Sequence, residues 1–174
     1  MATWNVDAAH SDVQFKVKHL MINTVTGEFS SYRVTVESEK EDFSDASVVF
    51  EADINSISTK NDMRDGHLKS DDFFAAETYP TMRFVSTSLT PKGDGTVELK
   101  GDLTIRDVTK SVVLSGEYGG QMVDFYGNTK AGFELTGTIN RKEFGLAWDA
   151  VTEAGGIVVS DAVKLILNIQ LQKS

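Results

Sequence analysis

The chain has 174 residues, of which 40% are hydrophobic and 25% charged, and its formal net charge at pH 7 is -9. Its hydrophobic fraction is too high for a disordered protein, and its length suits one globular domain, which we expect to span residues 1–174. The negative charge disfavours nucleic acid as a partner, because phosphate groups would repel the chain. The sequence has no cysteine, which excludes disulfides, a thiolate nucleophile and cysteine-bound zinc.

The sequence gives no sign of a membrane-spanning helix. Its apolar runs are all shorter than the about 18–20 residues that such a helix needs. The first residues, MATWNVDAAHSD, lack the basic and apolar regions of a signal peptide. We therefore expect no integral membrane segment. We expect a cytoplasmic location for the chain as given, or a periplasmic one if a signal has been removed.

Apolar and polar side chains alternate in many segments, which is typical of strands with one buried face. The clearest strands are expected at 13–18, 48–54, 97–106, 130–139 and 163–171, and others around 25–37, 82–89 and 111–118. Eight antiparallel strands in one domain form a barrel or a sandwich. Gly101 and Gly137 lie on the apolar side of long strands and favour the barrel, because sharply curved strands need small residues where they bend. Simple bulges are the alternative explanation of these glycines.

The segment 59–76 does not alternate, and its residue types predict a short helical pair between two strands. TKND resembles a capping box with Thr59 as the N-cap and Asp62 three positions later. SDDFF offers a second helix start at Ser70, and Pro80 ends the helical stretch. We expect this insertion to cap one end of the barrel.

A helix across a barrel end buries one apolar face. The side chains expected to point inward are Met63, Leu68, Phe73 and Phe74. Arg64, Asp65 and His67 would then lie at the rim, with an ion pair and a neutral imidazole bonded to the backbone. The alternative is an enzyme in which Asp65 or Asp71 orients His67 as a general base. The sequence places no obvious serine, cysteine or lysine nucleophile beside it.

The three histidines, His10, His19 and His67, are candidate metal ligands. His10 and His19 are separated by roughly 30 Å if the strand between them is extended, so one ion could not reach both. We therefore expect structural histidines and no metal. His19 shares the parity of Val13 and Val17, which predicts a polar group facing an apolar interior. Such a group needs a partner, which could be protein, water or the head of a ligand.

Seven segments carry a resemblance that follows one order over nearly the whole chain. They read WNVDAAHSDVQFKVKHL, VTGEF, INSISTKNDMRDGHLKSDDFF, YPTMRFVSTSL, GDLTIRDVTKSVVL, NRKEFGL and VSDAVKLILNIQL. Together they resemble the YceI family of lipid-binding proteins. The resemblance implies an all-β, lipocalin-like barrel of eight antiparallel strands, closed at one end, whose apolar pore binds a polyisoprenoid or similar long-chain amphiphile. The family typically has LTIRG where this chain has LTIRD, so Asp107 replaces a glycine in a turn.

The resemblance also implies how the protein works. It implies non-enzymatic lipid transport, storage or sequestration, with a ligand such as a polyprenyl phosphate or an isoprenoid quinone and no other cofactor, and a possible homodimer. Two alternatives are a hydrolase-type enzyme that acts on a lipid headgroup through His67 and a nearby carboxylate, and an interaction module with a collapsed core.

Strand parity and the inserted helix predict the residues that contact the ligand. The expected pore residues are Phe15, Val17, Leu68, Phe73, Phe74, Phe84, Leu103, Ile105, Phe133, Phe144 and Trp148, with His19, Arg64 and His67 at the polar mouth. Phe84 has ambiguous parity, because it shares one face with Ser86 and Ser88. Trp4 is expected to seal one end of the barrel without touching the ligand.

Overall fold

The computed structural model describes residues 2–20, 22–146, 148 and 159–174. Eleven strands form one antiparallel sheet: β1 (Ala2–Val6), β2 (Asp12–His19), β3 (Asn23–Phe29), β4 (Tyr32–Ser38), β5 (Ser47–Asp53), β6 (Ile57–Ser58), β7 (Thr81–Pro91), β8 (Thr96–Ile105), β9 (Val108–Val123), β10 (Thr129–Asn140) and β11 (Val159–Lys173). One α-helix, α1, spans Asp62–Lys69, and short 3-10 turns lie at Ala8–His10, Ile54–Ser56 and Arg141–Phe144. No helix of the described residues is long and apolar enough to cross a membrane.

The sheet closes on itself because β1 pairs with both β4 and β11. The closed ring has eight strands, in the order β1-β4-β5-β7-β8-β9-β10-β11. The expectation of an eight-stranded barrel is confirmed, and the sandwich alternative is wrong. The strand expected at 25–37 is broken at Ser30 and Ser31 into β3 and β4. The strand β1 was not expected, because its five residues show no clear alternation.

Side-chain parity follows the sequence in the long strands. In β8, Val97, Leu99, Leu103 and Ile105 are buried. Gly101 lies on the same inward side, where a β-carbon would be 2.5 Å from the carbonyl oxygen of Val85. The facing strand β7 shifts register between Ser86 and Ser88, beside Gly101, so the bulge proposed as an alternative is present there as well. The glycine is therefore needed for the close approach of two strands.

One end of the barrel, which we call the base, is closed by aromatic side chains. Phe43 is fully buried, and its ring centroid lies 5.2 Å from Trp4, 5.4 Å from Tyr118 and 5.2 Å from Phe133. The Tyr118 hydroxyl donates a hydrogen bond of 2.7 Å to the carbonyl of Glu41. This bond ties the connection between β4 and β5 across the base. Trp4 lies at this end, as expected from the sequence.

The opposite end, which we call the mouth, is where the sheet separates. Within the described residues β6 pairs with β3 and has no pairing with β7. The helix α1 and the turns after it connect these two strands. The Arg106 guanidinium in the β8–β9 turn donates to the carbonyls of Phe73, at 3.3 Å, and Gly145, at 3.1 Å. Asp107 lies in that same turn, where the sequence had placed its effect.

The insertion contains one helix, so the expected helical pair is wrong. The N-cap of α1 is Asn61, whose side chain accepts a hydrogen bond of 3.1 Å from the backbone N–H of Arg64. Thr59 is not the cap, because Lys60 has a φ of 61° and turns the chain between Thr59 and the helix. Ser70 ends α1 as its C-cap, and the following residues form turns.

Candidate ligand-binding site

A cavity of about 750 Å³ lies inside the barrel and opens at the mouth. This volume is within the usual range for small-ligand pockets. The cavity is lined mainly by apolar side chains, from Phe43 and Leu171 near the base to Asn61 and His67 at the mouth. A closed eight-stranded barrel can leave room for one slim ligand. The alternative of a fully collapsed core is therefore wrong.

Thirteen of the fourteen residues expected at the site line this cavity: Phe15, Val17, His19, Arg64, His67, Leu68, Phe73, Phe74, Phe84, Leu103, Ile105, Phe133 and Trp148. Their contact with a ligand stays a prediction. The exception is Phe144, which is 1% exposed and packs in the core without lining the cavity. Phe144 lies in a 3-10 turn rather than a strand, so strand parity does not determine where its side chain points.

The apolar residues of the insertion separate into two groups. Phe73 is buried, Leu68 and Phe74 are half-buried, and all three line the cavity. Met63 borders the opening but is 88% exposed, so its expected inward orientation is wrong. The helix is only eight residues long, and Met63 lies in its first turn, beyond the part that covers the barrel.

Thr59 connects Arg64 to Asp65 at the mouth. One oxygen of the Asp65 carboxylate accepts from the backbone N–H of Thr59, at 2.8 Å, and from its hydroxyl, at 2.6 Å. The Arg64 guanidinium donates to the Thr59 hydroxyl oxygen, at 2.7 Å, and to its carbonyl, at 2.9 Å. The expected Arg64–Asp65 ion pair is replaced by this shared contact. The network fixes α1 against the end of β6.

His67 pairs with Asp72 through a contact of 2.8 Å between Nε2 and a carboxylate oxygen. Its ring centroid lies 5.1 Å from Phe73 and 4.7 Å from Trp148, both edge to face. The expected bond to the backbone is wrong, and the orienting carboxylate is neither Asp65 nor Asp71. No hydroxyl or amine of the described residues is hydrogen-bonded to this ring.

Arg141 is a cavity residue that the sequence analysis did not select. It is 3% exposed and donates hydrogen bonds to the carbonyls of Leu146, at 2.6 Å, Trp148, at 2.7 Å, and Ser160, at 2.9 Å. Its guanidinium carbon lies 5.9 Å from the Phe73 ring. Arg141 thereby positions Trp148 at the mouth. Its position within NRKEFGL, one of the resembling segments, was the only sequence signal.

The three histidines are not brought together. His10 contacts Asp7 at 3.0 Å, whereas His19 and His67 line the cavity. The described part of the chain contains no group of three or more side chains placed to hold a metal ion. His19 faces the interior, as its parity predicted.

The closed antiparallel ring with its apolar cavity defines a lipocalin-like β-barrel with a ligand-sized interior. More narrowly, the chain belongs to the YceI family, because residues 4–171 match the family model described as a YceI-like domain. A UPF0312 protein of Staphylococcus aureus strain bovine RF122 / ET3-1 is 36% identical over 165 residues, which cover 94% of each protein.

Solved structures show the same fold. The YceI protein of Campylobacter jejuni is 34% identical, with a TM-score of 0.78 and coverage of 97% of this chain and 96% of that one. BcnA of Burkholderia cenocepacia superposes with a TM-score of 0.82 at 22% identity, covering 95% and 98%. A polyisoprenoid-binding domain from Saccharophagus degradans has a TM-score of 0.70 at 16% identity and covers 98% of both chains. The last two show the fold alone.

Proposed function

We propose that this protein binds a polyisoprenoid or similar long-chain amphiphilic lipid inside the barrel, without catalysis and with no other cofactor. The observation that carries the proposal is the apolar cavity of about 750 Å³, closed at the base and open at the mouth. The printed name of the Saccharophagus degradans domain gives the ligand class, although that relative supports it only through the fold.

The lining explains how such a ligand would be oriented. Phe43, Leu89 and Leu171 line the cavity toward the base, whereas His19, Arg64 and His67 line it at the mouth. Burying hydrocarbon yields about 0.8 kcal/mol per CH₂, so the tail would enter and the polar head would stay at the mouth. Several buried isoprene units would offset the ordering of a flexible chain. Transport, storage and sequestration all use this binding step.

The direct test is to compare the native and denaturing masses of the purified protein and to extract it with organic solvent. We expect a bound hydrophobic molecule, or one-to-one uptake of a prenyl lipid by delipidated protein. Trp148 provides an intrinsic fluorescence reporter, because it lines the cavity whereas Trp4 does not. A protein that is always empty and takes up no prenyl lipid would refute the proposal.

The second candidate is a hydrolase-type enzyme acting on a lipid headgroup, favoured by the His67–Asp72 contact of 2.8 Å at the mouth. A histidine paired with a carboxylate can serve as a general base. Replacing His67→Ala would then abolish hydrolysis of a lipid ester or phosphate. A carrier would show no hydrolysis in either form, and the variant would keep most of its affinity for hydrocarbon.

The homodimer and the compartment stay predictions. A candidate contact surface is the exposed β9–β10 hairpin end, where Met122 is 76%, Phe125 97% and Tyr126 85% exposed. Sedimentation of the wild type and Phe125→Ser tests the dimer: a monomer in both cases would remove it. Cell fractionation tests a cytoplasmic against a periplasmic location.

A further inference from the structure

The ionisable side chains that line the cavity are all basic within the described residues. They are Lys18, His19, Arg64, His67 and Arg141. No described aspartate or glutamate lines the cavity, although the chain has 26 acidic residues and a net charge of -9. Acidic groups are thus kept to the outer surface, and the interior presents the opposite sign.

Arg64 is held in one orientation by a neighbour that is itself fixed. The Thr59 hydroxyl donates its hydrogen to Asp65, so its oxygen is left to accept from Nε of Arg64. Thr59 is 5% and Asp65 8% exposed, which shields these bonds from water. A second bond runs from the guanidinium to the Thr59 carbonyl. Arg64 is therefore preorganised before any ligand arrives.

The same guanidinium has no carboxylate within the 4.0 Å of an ion pair among the described residues. Its two bonds to Thr59 use two of the five N–H donors of an arginine. Arginines on the outer face differ: Arg33 lies 3.1 Å from Asp53 and 3.2 Å from Glu51. The carboxylate nearest in sequence, Asp65, is occupied by Thr59. Arg64 thus keeps both charge and donors for a partner in the mouth.

We propose that the mouth recognises an anionic headgroup, a phosphate or a carboxylate, through the guanidinium of Arg64, so that the protein prefers acidic amphiphiles over neutral prenols and quinones. This inference rests on the lipid binding proposed above. The planar guanidinium matches phosphate and carboxylate oxygens in a two-pronged geometry. Charge-assisted hydrogen bonds are about twice as strong as neutral ones, and the half-buried position of Arg64 reduces their screening by water.

The test compares two ligands with the same twenty-carbon tail, geranylgeranyl phosphate and geranylgeraniol. Each is titrated into the delipidated full-length protein below its micelle concentration. We expect the wild type to bind the phosphate about 10- to 100-fold more tightly than the alcohol. In Arg64→Gln the affinity for the phosphate should fall by about that factor, while affinity for the alcohol stays unchanged.

The matched control is Arg83→Gln, because Arg83 is an exposed outer-face arginine that does not line the cavity. It removes the same charge and should preserve the preference for phosphate. Arg64→Lys keeps the charge without the planar fork and should retain part of the preference, provided that its melting temperature matches the wild type.

Different failures have different meanings. Equal wild-type affinity for the two ligands overturns the headgroup inference and leaves lipid binding intact, and this comparison needs no variant. Equal losses for both ligands in Arg64→Gln likewise overturn it, because the residue would then only support the fold. Absence of binding to either ligand refutes the proposed function itself.

Discussion

Asp7 secures the point where the chain passes from β1 to β2. Its carboxylate accepts hydrogen bonds from Nζ of Lys130, at 2.7 Å, and Nε2 of Gln170, at 3.3 Å, and contacts His10 at 3.0 Å. These contacts join the first 3-10 turn to β10 and β11. The hydrogen bond from Lys130, followed by that from His10, lowers the pKa of Asp7 from 3.8 to about 2. One residue thus connects three separate elements of the barrel.

The lowered pKa of Asp7 predicts a pH-dependent contribution to stability. Because the folded-state pKa lies below the unfolded one, the contribution is full above about pH 4 and is lost as the pH falls through about 2. We expect Asp7→Asn to lower the free energy of unfolding by about 1–2 kcal/mol at pH 7, allowing for the partial exposure of the pair. The difference from wild type should shrink toward pH 2 in urea titrations.

Asp102→Asn is the control for this experiment, since Asp102 is exposed on β8. It should change the free energy of unfolding by less than about 0.5 kcal/mol at any of these pH values. A deficit in Asp7→Asn that is as large at pH 2 as at pH 7 would contradict the assigned role of the carboxylate.

At the scale of elements, three neighbouring strands are interrupted side by side. The chain breaks between β1 and β2, at Ser30 and Ser31 between β3 and β4, and at Ile54–Ser56 between β5 and β6. Hydrogen bonds cross these breaks, from Asp53 N–H to the Ser31 carbonyl at 2.9 Å and from Ser30 N–H to the Ser56 carbonyl at 3.4 Å. The breaks redirect the short ends of these strands toward the mouth, where α1 replaces the missing β6–β7 pairing.

Two glycines should respond in opposite ways to the same substitution. Gly101→Ala should destabilise the fold by about 1–3 kcal/mol, because the new methyl group would lie 2.5 Å from the Val85 carbonyl oxygen. Gly66→Ala, within α1, meets no atom within 4 Å and should stabilise it by about 0.5–1 kcal/mol. Thermal and urea unfolding of both variants provide the measurement. Equal effects at the two sites would show that strand approach does not require Gly101.

At the scale of the whole molecule, the barrel leaves part of its interior unfilled. Leu165, Leu167 and Ile169 line the cavity and are only half-buried, although they lie inside the ring. Protein interiors are normally packed as densely as organic crystals. These side chains therefore give up packing contacts that a ligand tail would supply.

Filling the cavity should weaken lipid binding without unfolding the protein. Leu167→Trp, near the middle of β11, should displace two or three methylene groups of a twenty-carbon prenol and weaken its binding by about 10- to 50-fold. Its neighbour Ile166 does not line the cavity, so Ile166→Trp should bind within about twofold of the wild type. Calorimetric titration measures both affinities. Unchanged binding by a stably folded Leu167→Trp would show that the tail does not occupy this part of the barrel.

The sequence by itself determined which side chains of the long strands face inward, because alternation follows from the backbone geometry of a strand. Phe15, Leu103 and Phe133 were found in this way, and Phe144 was misplaced because a 3-10 turn does not alternate. The resemblance in seven segments correctly gave the family and the closed ring.

Only the tertiary structure decided how polar groups are paired and how much space remains inside. The contacts of Arg141 with Ser160 and of Lys130 with Asp7 join residues far apart in the chain. At the mouth, the turn at Lys60 decided that Thr59 would hold Arg64 and Asp65 rather than cap the helix. The cavity depends on the diameter at which eight strands close and on the summed volumes of side chains from all of them, which no local pattern records.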